Sequence, residues 1–147
     1  MLNVKETYHT DYNRWLQDQI ILLKEKNFEK LDCEHLIEEL EVLGNEQRRA
    51  VESLVLKIIE HLLLYQYWTQ EREYNGKHWQ IELLTFRTQL ELRLTTTLKN
   101  HLESRLEYLY QKARKIAAKK SELNLPSTNP YTLEQILNED WLPDNLS

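Results

Sequence analysis

Residues that form tight turns are scarce in this sequence. Its 147 residues include two glycines and three prolines, whereas a β-sandwich or a doubly wound sheet needs such residues at many turns. There is a single cysteine, Cys33, which excludes an intrachain disulfide and a zinc site built from cysteines. These shortages favour a helical chain. Its length of 147 residues is enough to bury a hydrophobic core without disulfides.

Long apolar runs and a net positive charge are also missing. The longest uncharged run, Leu62–Gln70, falls far short of the roughly 20 residues that span a membrane, and the N-terminus has no apolar signal core. We therefore expect a cytoplasmic protein with no membrane segment. The net charge of −5 argues against broad binding to nucleic acid, although residues 105–120 are rich in lysine and arginine.

Recognisable catalytic motifs are absent. The sequence has no glycine-rich phosphate loop, no GxSxG elbow and no HExxH zinc motif. It also lacks the Glu-x-x-His motifs of helical bundles that bind two metals. We predict no catalytic residue, no metal and no cofactor, and we favour a non-enzymatic role over an enzymatic one.

The stretch Asp32–Trp68 contains the longest helical pattern in the sequence. At about 100° per residue its apolar side chains return to one face, and Asp32 is a good N-cap. This face comprises Leu36, Leu40, Leu43, Ala50, Val51, Leu54, Ile58 and Leu62. Gly44 interrupts the pattern without shifting its phase. The pattern predicts one long helix, bent at Gly44, and the alternative is a hairpin at that residue.

Two further amphipathic stretches flank this helix. A first helix follows a cap at Thr10 or Asp11 and ends near Lys26. The side chains expected to be buried on it, or to hold the following turn to the core, are Tyr12, Trp15, Leu16, Ile20, Leu23, Phe28 and Leu31. After the long helix, the polar segment Thr69–Lys77 contains a turn dipeptide and predicts a loop. A third helix then starts near His78.

Threonines mark the remaining helix starts. Three consecutive threonines, Thr95–Thr97, predict a break, with Thr97 capping a long fourth helix. Further along the chain, Thr132 and Gln135 form a capping box. They predict a short last helix, Leu133–Leu137.

The prediction is therefore an all-α protein with a four-helix bundle-like core, one long central helix and a short C-terminal helix. We expect one helical domain over residues 1–147. Within it, residues 1–9 form a flexible lead-in. Residues 124–147 form a linker and the short helix that covers one end of the bundle.

Five polar residues are candidates for binding a ligand. A charge on an apolar helix face needs a partner, so Arg87 would clamp an anion or pair with a glutamate such as Glu39 or Glu41. His61 lies on the core side of the long helix. The alternative function is a bundle enzyme or sensor whose metal or anion site combines Glu38 or Glu41 with His61 and Arg87. A continuous helix would separate Glu41 from His61 by roughly 30 Å, so this site requires a hairpin or a partner chain.

The long helix is apolar on nearly every side between Leu54 and Tyr65. A helix of this kind is buried on several sides, by its own chain or by a second chain. We predict an interaction surface at Leu56, Leu63 and Leu64. The leading function is a non-enzymatic helical protein that self-associates as a homo-oligomer or binds a protein partner.

Several short motifs occur together along the chain. They are Tyr-x-x-Asp-Tyr-x-x-Trp (Tyr8–Trp15), Leu-Ile-Glu-Glu-Leu-Glu-x-Leu-Gly (Leu36–Gly44) followed by Arg48 and Arg49, His-Leu-Leu (His61–Leu63), Trp79 with Arg87, and Pro-Tyr-Thr-Leu-Glu-Gln-Ile-Leu (Pro130–Leu137). In these motifs the chain resembles the bacterial family known as domain of unknown function 29. One departure is Thr95–Thr97, where that family tends to have Pro-Ser-Leu. The resemblance implies an all-helical bundle and brings no established activity, substrate or cofactor.

Overall fold

The computed structural model describes residues 4–144, which form an all-α chain. Its helices are α1 (Val4–Thr10), α2 (Tyr12–Lys24), α3 (Cys33–Tyr67), α4 (Thr69–Arg93), α5 (Thr96–Ser121) and α6 (Leu133–Leu137), and a 3₁₀ turn spans Phe28–Lys30. No strand occurs among the described residues. The predicted fold class is confirmed, since four long helices, with α3 the longest, are followed by one short C-terminal helix.

The chain divides into two compact units, residues 1–46 and residues 47–147. Helix α3 starts in the first unit and ends in the second. The single domain over residues 1–147 therefore stays a prediction. Part of the lead-in expected over residues 1–9 forms α1, which begins at Val4, and the Tyr8 ring stacks on His35; its flexibility stays a prediction. Residues 1–3 lie outside the described residues.

Helix α2 starts after Asp11, one of the two predicted caps, but buries fewer side chains than predicted. Asp11 Oδ1 accepts a hydrogen bond from the Arg14 amide. Trp15 is fully buried, and Gln19 is the other buried residue of the helix. The predicted burial is wrong for four side chains, which are exposed, namely Tyr12, Leu16, Leu23 and Phe28. Trp15 is the only buried apolar side chain among residues 5–46, so this unit has no extended apolar core for them to enter.

Helix α3 confirms the prediction of one long helix. It continues through Gly44 without a break, so the alternative hairpin is wrong. The buried part of its predicted apolar stripe begins at Val51. Leu40 and Leu43 belong to the same stripe but are exposed.

The loop predicted over Thr69–Lys77 is wrong, because this segment forms the first turns of α4. Trp68 alone separates α3 from α4. The Arg72 guanidinium donates to the Tyr65 carbonyl oxygen at 2.8 Å, which ties the start of α4 to the end of α3. Gly76 is buried, and a Cβ atom there would lie 2.9 Å from Arg72 Cγ. The glycine therefore makes room for the Arg72 side chain within a helix.

Two threonine caps set the starts of the last two helices. The predicted break before α5 is present, but the cap is Thr95, whose side chain accepts from the Leu98 amide at 3.2 Å. The capping box of Thr132 and Gln135 is present as predicted. It starts a helix with the predicted bounds, Leu133–Leu137.

The hydrophobic core of the second unit is built from α3, α4, α5, α6 and the segment between the last two helices. Its fully or almost fully buried side chains include Val55, Ile58, Ile59, Leu62, Leu63, Leu83, Leu90, Leu102, Ala113, Ala117, Tyr131 and Ile136. The two alanines on α5 leave space for close helix packing.

Candidate functional site

A polar cluster in the first unit is built around the buried carboxylate of Asp32. Its Oδ2 atom accepts a hydrogen bond from the Trp15 indole at 3.0 Å and lies 2.6 Å from His35 Nδ1. The Asp32 amide donates to Gln19 Oε1 at 2.9 Å. Oδ1 accepts from the His35 amide at 3.4 Å and so caps α3. The carboxylate therefore accepts hydrogen bonds from two segments, α2 and the start of α3, as a buried charge requires.

These contacts decide the protonation of Asp32. Burial alone would raise the pKa of its carboxyl group, but hydrogen bonds from His35 and Trp15 outweigh burial and lower this pKa below its ordinary value. An ionised carboxylate can only accept hydrogen bonds, so His35 Nδ1 must be the donor. In the neutral imidazole, the lone pair then resides on Nε2.

Two tyrosines extend the cluster to Glu39. The Tyr8 hydroxyl donates to Glu39 Oε1 at 2.6 Å, and the Tyr12 hydroxyl donates to Oε2 at 2.7 Å. These two bonds lower the pKa of Glu39. They raise the pKa of Tyr8 to about 12 and that of Tyr12 above its ordinary value. The Tyr8 ring stacks on His35 with 3.9 Å between ring centroids.

The polar cluster is suited to holding helices together. Both carboxylates already accept two or more hydrogen bonds from the chain, and the rings of Tyr8, Trp15 and His35 pack on one another. Within residues 4–144, no three histidine, cysteine or acidic side chains are grouped so that they could hold a metal ion. The arrangement fastens α1 and α2 to the start of α3.

The glutamates and the histidine predicted to bind a ligand do not form one site through a hairpin, since α3 is continuous. Glu39 belongs to the polar cluster, whereas Glu38 and Glu41 are exposed. His61 Nδ1 lies 2.7 Å from the carbonyl oxygen of Lys57 in the preceding turn of α3. Its ring meets Phe86 edge to face.

Arg87 is 3 % exposed and is held by backbone carbonyl groups. It donates to Ile136 and Trp141 at 2.8 Å each and to Gln135 at 3.0 Å. These three carbonyl groups use three of the five N–H donors of the guanidinium, and the pairing with Glu39 or Glu41 stays a prediction. Burial lowers the pKa of Arg87 to about 10, so the group remains charged at neutral pH. Arg87 therefore holds α6 and the segment after it against α4.

Two of the three leucines predicted as an interaction surface are part of the chain's own core. Leu63 is fully buried and Leu64 almost so. Placing them on a surface is wrong, because the other helices of the second unit cover the apolar sides of α3. Leu56 is half-buried at the edge of this core.

Comparison with known proteins identifies the family. Residues 7–142 match the model of a family described as Domain of unknown function DUF29. The chain belongs to this family. No curated protein and no solved structure matches the chain. Among residues 4–144, no helix is both long enough and apolar enough to cross a membrane.

The first of the motifs that resemble DUF29 builds the polar cluster. Tyr8, Tyr12 and Trp15 supply three of its hydrogen-bond donors, and Asp11 caps α2 between them. Reasoning from the sequence missed Asp32 and His35 as members of a site. Their spacing of three residues at a helix start brings both onto adjacent positions of the first turn, which is the signal that could have found them.

This DUF29 chain also exposes an apolar face on the first turns of α3, formed by Ile37, Leu40 and Leu43. Their side chains are 57 %, 64 % and 51 % exposed. At about 100° per residue they fall within one stripe of roughly 120°. Glu41 and Glu34 lie next to this stripe on the side of Ile37. We call these three residues the apolar face of α3.

Proposed function

We propose that this protein is a non-enzymatic helical protein that self-associates through the apolar face of α3. The observation that carries the proposal is the uneven distribution of exposed apolar side chains. Nine of the fifteen large apolar side chains that are exposed in the described part of the chain belong to residues 12–43. A concentration of this kind marks a surface that binds another chain.

The energetics favour covering this surface. Ile37, Leu40 and Leu43 are each about half exposed, so full burial of each would add roughly 1 kcal/mol of hydrophobic stabilisation. The first unit buries one apolar side chain among residues 5–46. Binding of another molecule would bury apolar surface that so short a unit does not bury in a core of its own.

We take a second copy of this chain as the bound partner, because the chain carries a surface of complementary charge. The apolar face of α3 is bordered by acidic side chains at Glu34, Glu38 and Glu41. In the second unit, a groove between α3 and α5 is lined by basic and apolar side chains. Opposite charges on two surfaces of one sequence favour association between copies.

The alternative of a metal or anion site through Glu38, Glu41, His61 and Arg87 has less support. Three of the five N–H donors of Arg87 are occupied by backbone carbonyl oxygens. Moreover, the hairpin that would have joined the glutamates to His61 is replaced by a continuous helix.

The proposal is tested by placing a charge on the apolar face of α3. Ile37→Glu combined with Leu40→Glu should give a smaller species that keeps the helical circular dichroism of the wild type. The matched control is Leu92→Glu on α4, where the side chain is 83 % exposed and lies outside the face. If the double variant and the control have the same mass in solution as the wild type, this face is not the site of association.

A further inference from the structure

A groove on the second unit, about 450 Å³ in volume, is lined by both apolar and basic side chains. Helices α3 and α5 form its two sides. Leu56 from α3 and Tyr108 and Ile116 from α5 contribute apolar surface. Tyr108 is 49 % exposed, so much of this surface is open to a partner.

Four of the side chains that line the groove are positively charged. Arg49 lies on α3, and Arg105, Lys112 and Lys115 lie on α5. The groove has one acidic residue, Glu52, and its carboxylate is already engaged. Glu52 Oε2 lies 2.9 Å from His101 Nε2, and Oε1 accepts from Arg105 at 3.1 Å.

The ring of Tyr108 contacts two of these cations. Arg105 Cζ is 4.1 Å from the ring centroid, and Lys112 Nζ is 5.6 Å from it. Such cation–π contacts hold the cationic groups beside the apolar surface of the Tyr108 ring. A partner that fits the groove therefore presents apolar side chains together with carboxylates, as an acidic amphipathic helix does.

The first turns of α3 are a helix of this description. On the helical wheel, at about 100° per residue, Glu41 and Glu34 lie roughly 40° and 60° from Ile37. Glu38 follows on the same side. Ile37 and Leu40 are more than half exposed. The apolar face of α3 and its acidic border therefore match the groove in both polarity and charge.

We infer that the basic groove between α3 and α5 receives the acidic, apolar first turns of α3 from a second copy of the chain. This inference rests on the proposed self-association and names the surface that receives it. The contact joins two different surfaces. Two copies can form it reciprocally and close a dimer, or successive copies can form it in one direction and build a larger assembly.

Charge reversal on each surface tests the inference. Glu38→Lys with Glu41→Lys, and separately Lys112→Glu with Lys115→Glu, should each weaken self-association about tenfold, because attraction is replaced by repulsion. The two variants mixed in equal amounts should associate again, since the basic helix of one then meets the acidic groove of the other. Sedimentation velocity measures the association, and native mass spectrometry of the mixture identifies the mixed assembly. The matched control is Lys77→Glu with Lys99→Glu, which reverses two exposed charges outside the groove and should associate like the wild type.

The outcomes separate this inference from the proposed function. If both charge variants associate like the wild type while Ile37→Glu with Leu40→Glu dissociates, self-association stands and the groove is not the receiving surface. If the wild type is a monomer at every concentration, both fail. If the groove variant loses binding to a single-stranded oligonucleotide but associates like the wild type, the groove binds nucleic acid and the inference is overturned.

Discussion

His35 Nδ1 lies 2.6 Å from Asp32 Oδ2, and this contact sits at the junction of α2 with the start of α3. The same Oδ2 atom accepts the Trp15 indole hydrogen bond. One carboxylate thus joins two segments that share little apolar contact. The first unit is therefore stabilised by polar and aromatic contacts, and its larger apolar side chains remain available to a partner.

The stability that Asp32 contributes should depend on pH. Its pKa is lowered in the folded protein, so its contribution is fully present above the ordinary aspartate pKa of about 4 and is lost as the pH falls through the lowered folded value. Asp32→Asn should be less protected than the wild type in hydrogen exchange of α2 at neutral pH. This difference should shrink in acid. A difference that is constant between neutral pH and strong acid would contradict the role of the charge.

Glu39 should control the ionisation of two tyrosines. The pKa of Tyr8 is raised to about 12, chiefly by its hydrogen bond to Glu39, and the pKa of Tyr12 is raised for the same reason. Glu39→Gln removes the negative charge, so both should ionise at lower pH, nearer the ordinary value of about 10. An alkaline titration of tyrosinate absorbance measures the change. An additional Tyr8→Phe substitution in the Glu39→Gln background should remove the share of the absorbance change that comes from Tyr8.

Arg87 should hold the C-terminal segment in place. Arg87→Met removes donors from three carbonyl groups and should lower the free energy of unfolding by roughly 3 kcal/mol. Arg87→Lys keeps the charge but not the forked geometry, so it should restore only part of this loss. Chemical unfolding measures the stability, and hydrogen exchange at α6 reports the release of that helix. The exposed Arg93, replaced by Met, is the control and should change stability by about 0.5 kcal/mol or less. Unchanged exchange at α6 in Arg87→Met would contradict this role.

Leu63 should behave as a core residue. Leu63→Ala should cost about 2–5 kcal/mol, and Leu63→Glu should prevent folding, because it places a charge where the side chain is fully buried. Thermal unfolding followed by circular dichroism measures both effects. A folded Leu63→Glu variant of reduced mass would instead support the surface role predicted from the sequence.

Local features could be predicted from the sequence because they depend on neighbouring residues. The cap at Asp11 and the capping box of Thr132 and Gln135 need only residues within one turn. The continuity of α3 through Gly44 followed from the unchanged phase of its apolar stripe. The turn dipeptide Asn75-Gly76 in the predicted loop was misleading, since α4 continues through it and Arg72 occupies the space beside Gly76.

Features that depend on distant residues could not be predicted in the same way. A helical wheel shows that Leu63 and Leu64 lie on an all-round apolar helix, but not whether their own chain covers them. It also shows that Arg87 is on an apolar face, but not that its acceptors lie about fifty residues further on. Leu40 and Leu62 lie on the same apolar stripe of the helical wheel, yet Leu40 is exposed and Leu62 is buried. The difference depends on which part of α3 the other helices cover.

The most direct test of self-association is native mass spectrometry of the unmodified protein over a dilution series. We expect an assembly of two or more copies at high concentration that dissociates to monomers on dilution, and that also weakens as the salt concentration rises because exposed charges are screened. A monomer at every concentration and at low salt would contradict the central claim.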